Sequence, residues 1–332
     1  MTGHDGVRAA HATTAGPKAG RKADSAADPA PAERFEADRP LLYAVAFRML
    51  GSAVEAEDAV QEAWLRLART DVAGVANLTG WLRTVVSRIC LDMLRARAAR
   101  REDLTDQGAF DEVTGTGPGS GGRPEEEALL ADSVGRALLV VLAALDPDER
   151  ITFVLHDLFA VPFDQIAPLV GRTPATTKKL ASRARRKVRG TPDVPAGELA
   201  RRHRVVTAFL AAMRAGDLDA ILAVLAPDVV RRADPAALAP GMAAEVRGAR
   251  RVAEGTALLA RRARYAAPAL VDGRVGIVVA PYGRLALVLT VSFAANGLIS
   301  GYDVIADPAR LRRLRLAVLD PVLPYGGAAA GS

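Results

Sequence analysis

Cysteine is almost absent from this sequence. The single cysteine, Cys90, cannot form an intrachain disulfide and leaves no cysteine cluster for a metal, so a reducing cytoplasm fits. The amino terminus lacks the apolar core of a secretion signal. The longest uncharged stretch, residues 285–302, is divided by Ala295-Asn296-Gly297, which predicts a β-hairpin and not a membrane span. We therefore expect a cytoplasmic protein without membrane contact.

The chain does contain enough apolar and basic material for several folded units with an acidic partner. Half of its 332 residues are hydrophobic and a quarter are charged, a balance typical of globular domains. The formal net charge is +6 and the sequence pI is about 9.8. Such a surplus of cations favours nucleic acid or a membrane surface as partner.

Changes in periodicity divide the chain into three modules. Two blocks of helical periodicity are separated by a glycine-rich, acidic stretch, and the last block is one long helix followed by strand-like segments with turns. We predict two all-α modules followed by an α+β module, a cone with a curved, mainly antiparallel sheet. The predicted boundaries are a flexible tail at 1–32, helical modules at 33–104 and 128–190 joined by a linker at 105–127, the α+β module at 197–320, and a second tail at 321–332.

The helix that begins at Val54 has two contrasting sides. Apolar residues with the spacing of a buried stripe are Val60, Ala63, Trp64 and Leu67. The opposite side is mainly acidic and consists of Glu55, Asp58, Glu62 and Arg66. An acidic row on a basic protein is a candidate docking surface, although a merely solvated face has the same composition.

The next helix, residues 77–101, mixes arginine with apolar residues. We predict that Trp81, Val85, Ile89 and Leu94 face partly inward, while the arginines lie elsewhere on the helix. Arginine neutralises phosphate and an aromatic ring holds an unstacked base, so this helix suits single-stranded nucleic acid. A core position for Trp81 is the alternative.

A helix-turn-helix follows in the second module. One helix is predicted to start at Asp146-Pro147, and a short helix from about Asp164 to Val170 ends at the turn residue Gly171. The last helix begins at Thr173-Pro174, and no Asp or Glu occurs between 171 and 189. Its predicted buried stripe is Thr177, Leu180, Ala181, Ala184 and Val188. Its outward residues are Ala175, Lys179, Ser182 and Arg186, flanked by Lys178, Arg183, Arg185 and Arg189. This sorting is what a helix that reads duplex DNA requires.

These stretches resemble the sigma-70 family in its extracytoplasmic-function branch. LGSAVEAEDAVQEAWLRLAR and NLTGWLRTVVSRICLDMLRARAARRE are similar to region 2, and FVLHDLFAVPFDQIAPLVGRTPATTKKLASRARRKVR is similar to region 4. The resemblance implies a subunit that binds core RNA polymerase and directs promoter-specific transcription initiation, with no catalysis, cofactor or metal.

The same resemblance assigns roles to individual residues. Those implied to bind core polymerase are Asp58, Gln61 and Glu62. Those implied to bind the melted −10 strand are Asn77, Trp81, Arg83, Arg88 and Arg95. Those implied to bind the −35 duplex are Arg172, Thr173, Ala175, Thr176, Lys178, Lys179, Ser182, Arg183 and Arg186.

The third module resembles the SnoaL-like, nuclear-transport-factor-2-like fold. Its predicted elements are a helix from about 198, a helix near 249–262, and strands at about 264–271, 274–280, 284–293 and 298–306. A subgroup of extracytoplasmic-function sigma factors carries such an extension, which implies contact with the sigma core, modulation of its activity and a candidate pocket for a small molecule. Two signatures of that subgroup are altered, to RRADPAA at 231–237 and to DPARL at 307–311.

Two other functions stay open at this point. A ligand-sensing regulator would bind duplex DNA through the helix-turn-helix without polymerase, but it gives the acidic helix no role. A cyclase or isomerase would need a general base in the third module. The candidate residues for such a site are Asp234, Asp303, Tyr302 and His203.

Overall fold

The structure is a computed structural model that describes residues 31–71, 75–103, 135–238, 241–257 and 259–319. The predicted linker and carboxy-terminal tail lie outside these residues, as do positions 128–134 of the second helical block. The predicted amino-terminal tail lies outside them too, except for residues 31 and 32, which belong to the first helix.

Three helices form the first module: α1 (Pro31–Leu50), α2 (Ala53–Arg69) and α3 (Leu78–Asp103). Ser52 caps α2 by accepting the Glu55 N–H at 3.4 Å, and the expected stripe on α2 is buried except for Trp64, which is half-buried. For two of the α3 residues predicted to face inward, the prediction is wrong by one position along the helix. Leu82 and Val86 are fully buried, whereas Trp81 and Val85 lie at the edge of the core.

The described residues of the second module form four helices: α4 (Arg136–Ala143), α5 (Pro147–Phe153), α6 (Phe163–Val170) and α7 (Pro174–Arg189). A π-helical turn, Val154–Leu158, extends α5. His156 in this turn stacks on Phe163 at 3.8 Å, and its Nδ1 lies 3.0 Å from the Val161 carbonyl oxygen. Both contacts lie within the second module, so the role of His156 is structural.

The helix-turn-helix is built from the predicted turn residues. Gly171 ends α6 with φ +66°, a left-handed conformation that favours glycine. Thr173 then caps α7 by accepting the Thr176 N–H at 3.3 Å, and Pro174 occupies the first turn. A continuous hydrophobic cluster joins both helical modules, from Leu50 and Leu94 in the first to Ile151 and Val188 in the second.

The third module combines a seven-stranded sheet with helices. The helices are α8 (Ala196–Ala215), α9 (Leu218–Val224), α10 (Ala249–Ala257), α11 (Ala260–Ala263) and α12 (Pro308–Leu311). The strands are β1 (Leu225–Ala233), β2 (Glu245–Arg247), β3 (Ala266–Val271), β4 (Arg274–Val279), β5 (Leu287–Phe293), β6 (Ile299–Ile305) and β7 (Leu316–Ala317). Their order is β2-β1-β6-β5-β4-β3-β7.

The sheet confirms the expected α+β module but contains more strands than the sequence indicated. β3 to β6 match the four expected strands, and the hairpin of β5 and β6 turns at Gly297, where φ is +84°. β1, β2 and β7 were missed. All neighbours are antiparallel except β1 and β6, which run parallel, so the sheet is mixed and mainly antiparallel.

Helices cover both faces of the sheet, one from the third module itself and one from the second module. One face packs on α8, where Phe209 contacts Tyr302 with ring centroids 5.9 Å apart. Ala137 and Val140 of α4 pack into the other face against β3, β4 and β5. The third module therefore shares a hydrophobic contact with the second module.

Candidate polymerase and nucleic-acid interfaces

The outer side of α7 is uncovered. Thr177, Ala181, Ala184 and Val188 are buried as expected, while Leu180 is only half-buried. The residues expected to face DNA from the body of the helix are all exposed: Ala175, Thr176, Lys178, Lys179, Ser182, Arg183 and Arg186. Within the described part of the chain, no ion pair involves Lys179, Arg183 or Arg186. These cations are free to meet an external anion.

Two other cations of α7 are used inside the second module. Arg185 was expected to flank the reading face, but its Nε donates to Asp157 Oδ1 at 2.5 Å and its side chain is largely buried. Lys187 Nζ lies 2.6 Å from Glu149 Oε2 and 3.3 Å from Asp146 Oδ2. The hydrogen bond to Glu149 raises the pKa of Lys187 above its usual value. The back of the helix is thus fixed by internal charge pairs.

The two residues ahead of α7 are also exposed. Thr173 uses its side-chain oxygen for the helix cap described above. Arg172 Nη2 lies 4.0 Å from Asp148 Oδ2, at the outer limit of an ion pair.

The residues expected to bind the −10 strand extend from Asn77, just before α3, to Arg95 in the fifth turn of that helix. Asn77 is exposed and caps the helix, because its Oδ1 accepts the Gly80 N–H at 2.8 Å. Trp81 and Arg83 are half-buried, and the Trp81 ring packs against the core. Arg88 is exposed. Arg95 is exposed but not free, because its Nη2 donates to Asp148 Oδ1 at 2.8 Å.

The outward side of α2 carries two of the three residues expected to bind polymerase. Asp58 and Gln61 are exposed, while Glu62 is half-buried and accepts from Arg66 Nε at 2.9 Å. Glu55 does not belong to this side, because it pairs with Arg97 of α3.

The sequence reasoning missed two apolar residues on the same side of α2. Val54 and Leu65 are exposed. Asp58 and Gln61 lie between them on the same line of α2, because the four residues follow the helical spacing i, i+4, i+7 and i+11. A groove of about 300 Å³ beside them is lined by Phe35, Glu36, Arg39, Glu57, Val60, Gln61 and Trp64. The sequence signal for this surface was the presence of two apolar residues at outward positions of an otherwise polar row on α2. These two exposed apolar side chains flank Asp58 and Gln61 beside the groove, so we treat this side of α2 as a candidate protein-binding surface.

The candidate bases of the third module do not converge. Asp234 is buried, but its carboxylate accepts from the backbone N–H groups of Ala237, Ala306 and Asp307 at 3.0 to 3.2 Å. Asp303 is half-buried and contacts Arg232 at 4.0 Å. The Tyr302 hydroxyl lies 2.8 Å from Thr256 Oγ1 inside the module, where burial raises its pKa. Strand alternation therefore puts Asp303 and Tyr302 on opposite faces of β6.

The described residues contain neither a cluster of metal ligands nor a membrane-spanning helix. Among the described residues, no group of three or more His, Cys, Asp or Glu side chains is placed to hold a metal ion. None of the helices in the described ranges is both long and apolar enough to cross a membrane.

Comparison with known proteins identifies the family. Residues 34–100 match the family model described as Sigma-70 region 2, and residues 135–188 match the one described as Sigma-70, region 4. The chain is 43% identical over 219 residues to the ECF RNA polymerase sigma factor SigJ of Mycobacterium tuberculosis (strain ATCC 25618 / H37Rv), which covers 66% of this chain and 69% of that protein. This chain belongs to the ECF RNA polymerase sigma factors.

A second relative and one solved structure are also similar to this chain. The sigma factor is 42% identical over 201 residues to the probable ECF RNA polymerase sigma factor SigI of M. tuberculosis, covering 60% of this chain and 68% of that one. The crystal structure of M. tuberculosis SigJ matches 84% of this chain and 98% of its own, with 33% identity and a TM-score of 0.41.

Membership confirms the main functional prediction. The chain is a sigma factor that directs promoter-specific transcription initiation, and its family implies core RNA polymerase and promoter DNA as partners. Sigma factors are specificity subunits and not enzymes.

Proposed function

We propose that this sigma factor divides its three external contacts among three helices. The outward side of α2 binds core polymerase through Asp58, Gln61 and Glu62. The exposed side of α7 and the turn before it bind the −35 duplex. The outer side of α3 binds the melted −10 strand. The observation that carries this proposal is the exposed side of α7, because its cations pair with none of the described residues while those on its back are paired.

For the −35 element, we propose that outward residues reach base edges while flanking cations meet phosphates. Lys179, Ser182 and Arg186 lie centrally on the exposed side and are the proposed base readers. The remaining proposed contacts are Arg172, Thr173, Ala175, Thr176, Lys178 and Arg183.

For the −10 element, we propose that Trp81 and Arg88 act together. An aromatic ring at the edge of the core stacks on an unpaired base, and an exposed guanidinium neutralises its phosphate. Arg83 and Arg95 extend the phosphate contact, and Asn77 borders it at the start of the helix. Since unstacking a base costs a few kcal/mol, strand capture needs polymerase to hold the opened duplex.

We further propose that the third module, 197–320, modulates the sigma modules 33–104 and 128–190 by direct contact. The Val318 N–H donates to the Val188 carbonyl oxygen at 2.8 Å, so the segment that contains β7 is bonded to the last turn of α7. Ala137 and Val140 of α4 pack against the sheet. A change in the third module is thus transmitted to the helix that reads DNA.

We infer that the third module has no catalytic step. The Asp234 carboxylate is saturated with backbone donors and Arg310, and Asp303 points away from the packed face of the cone. The ring of Tyr302 fills the space against Phe209. Among the described residues of this module, none of these three side chains is therefore placed to act on a small-molecule ligand. We place the protein in the cytoplasm because its proposed partners are there.

Run-off transcription tests the assignment of the α2 surface. Purified core polymerase and the full chain should transcribe from a library of DNA templates with randomised −35 and −10 elements, and Asp58→Arg should abolish the product and the binding to core. Asp219→Arg, an equal charge reversal at an exposed position of α9, should transcribe normally. Specific duplex binding without any response to polymerase would favour the ligand-sensing regulator instead.

The role of the third module has its own test. Val318→Pro removes the N–H that the Val188 carbonyl accepts, and we expect transcript levels to change at least twofold at matched protein amounts. Levels equal to the wild type would contradict modulation through this contact.

A further inference from the structure

The segment that leads into β7 carries basic side chains on an apolar frame. Residues 310–318 read RLRRLRLAV and contain four arginines but no acidic residue. The three leucines of the segment pack against the cluster that α4 shares with the sheet. The arginines are exposed, and we call them the β7 basic surface: Arg310, Arg312, Arg313 and Arg315.

Two arginines of this surface are available to an external anion. Arg310 is not one of them, because its Nη1 lies 3.3 Å from an oxygen of the buried Asp234 carboxylate. Arg315 Nε lies 3.5 Å from Asp272 Oδ1, but its side chain is 87% exposed, and such surface pairs contribute only about 0 to 1 kcal/mol. Among the residues that the structure describes, no ion pair involves Arg313.

The β7 basic surface is joined to the last turn of α7. The Val318 N–H donates to the Val188 carbonyl oxygen at 2.8 Å, and Ala317 lies so close to Gly190 that no Cβ fits there. Arg315 precedes Val318 by three residues, which span at most about 10 Å. The surface therefore has a defined position beside the end of the helix proposed to read DNA.

The length of α7 brings that end toward the DNA backbone. The helix has 16 residues and is therefore about 24 Å long, whereas the major groove is about 12 Å wide. A recognition helix contacts base edges mainly through its N-terminal residues. The last turns of α7 thus extend past the bases to the edge of the groove, where phosphates lie.

We propose that the β7 basic surface binds phosphates of the duplex that flanks the −35 element, through Arg313 and Arg315. This inference rests on the proposed −35 contacts of α7. Guanidinium forms strong charge-assisted hydrogen bonds with phosphate, and such contacts carry no sequence information. The third module is then a second DNA-binding element, which adds affinity without changing base preference.

The opposite edge of the sheet has a different charge distribution. At β2, both Arg232 and Arg247 pair with Glu245. Five strands lie between β2 and β7, so the two edges are on the order of 30 Å apart. The edge that is bonded to α7 is therefore the one whose arginines are not balanced by acids of their own segment.

The salt dependence of DNA binding tests the proposal. Wild-type holoenzyme and the double variant Arg313→Gln, Arg315→Gln should be titrated with duplexes that carry a −35 element selected by run-off transcription and a flanking helical turn on each side. Loss of two phosphate contacts lowers the slope of log affinity against log salt by about 1.8. Between about 50 and 200 mM salt, the wild type should therefore lose roughly tenfold more affinity than the variant.

A matched control is available on α10, beside β2. Arg250 pairs with Glu254 much as Arg315 pairs with Asp272, and Arg251, like Arg313, is exposed and makes no ion pair with the described residues. The double variant Arg250→Gln, Arg251→Gln should keep the wild-type slope, because its distance from the DNA exceeds the Debye length of about 10 Å. Arg313→Lys with Arg315→Lys should also keep it, since lysine neutralises phosphate too.

Duplexes trimmed to the −35 element give the second comparison. On these, the wild type and the Arg313→Gln, Arg315→Gln variant should bind alike, because the flanking phosphates are gone. Equal salt slopes on the long duplexes would overturn the proposal. So would a variant that binds core polymerase more weakly but keeps the slope, because the arginines would then contact protein. Wild-type holoenzyme without preference for the −35 duplex over a scrambled one would instead overturn the proposed function.

Discussion

The two helices proposed to bind DNA are held in different ways. The cations on the back of α7 pair with carboxylates of its own module, Asp157 and Glu149, so its front is presented to solvent. On α3, by contrast, Arg95 pairs with a carboxylate of the neighbouring module. Pairing within a module fixes a reading surface, whereas pairing between modules makes its availability depend on how the modules are arranged.

The largest expected effect distinguishes the buried residues of α3 from those proposed to bind DNA. Leu82 is fully buried, so Leu82→Ala should lower the free energy of unfolding by about 2 to 5 kcal/mol. Trp81→Ala, one position along the helix, should cost less stability but abolish transcription that depends on strand opening. Denaturant unfolding and run-off assays of the two variants measure both quantities. A larger loss of stability in Trp81→Ala would assign Trp81 to the core.

On α7 the comparison is between its exposed front, which is proposed to read DNA, and its back, whose cations pair with carboxylates of the second module. Arg186→Ala should lose on the order of 1 to 3 kcal/mol of discrimination at one −35 base pair, the usual value of a good base contact. Lys187→Ala removes a neighbouring cation that is occupied by Glu149 and should leave base preference unchanged. Holoenzyme binding to single-base promoter variants is the measurement. A uniform loss across all bases with Arg186→Ala would reduce Arg186 to a phosphate contact.

The front of α7 was predictable because the helical wheel alone decides it. Small and apolar residues occupy one narrow stripe, no acid interrupts the charge, and Gly171 and Thr173 mark both sides of the turn. On α3 the apolar arc is broad, running through Leu78, Trp81, Leu82, Val85 and Val86, so periodicity could not rank its members. Only tertiary packing selects which of them is buried.

Contacts between distant segments account for the other differences. β1 follows α9 without a turn signal and pairs with β6, about 70 residues later, and β2 and β7 are too short to produce a pattern. The Arg95–Asp148 and Arg185–Asp157 pairs likewise join residues 53 and 28 positions apart. Local sequence therefore predicted which side of α7 is exposed, but not which cations of the helix are already occupied.

The helix caps offer a smaller and cleaner test on α3. Asn77 is both the cap of α3 and a proposed −10 contact. Asn77→Ala should cost about 1 kcal/mol of stability, and Asn77→Asp should restore it because aspartate also caps. We expect the added negative charge to repel the DNA strand, so Asn77→Asp should transcribe poorly although it is stable. Normal transcription by this variant would show that Asn77 only caps the helix.

The smallest expected effect concerns the buried thiol of α3, for which α7 has no counterpart. Burial raises the pKa of Cys90 to about 12, against a slight opposing effect of Arg150. The folded chain therefore holds the thiol proton at pH values where the unfolded chain has released it. This contribution to stability is fully present below about pH 9 and is lost as pH rises toward 12, by on the order of 1 kcal/mol at pH 9.5.

Denaturant midpoints between pH 8 and 10 measure this loss, and Cys90→Ala is the control because it removes the titrating group. The denaturant midpoint of the wild type should fall relative to that of Cys90→Ala across this pH range. The constant loss of stability caused by the smaller side chain is subtracted first. If Asp148→Asn loosens the contact between α3 and α5, water will reach the thiol and the fall should become shallower. Parallel curves for the wild type and Asp148→Asn, both falling relative to Cys90→Ala, would mean that the buried side of α3 is insensitive to how the modules are arranged, and that only its charged side distinguishes it from α7. No fall of the wild type relative to Cys90→Ala would contradict the raised pKa of Cys90.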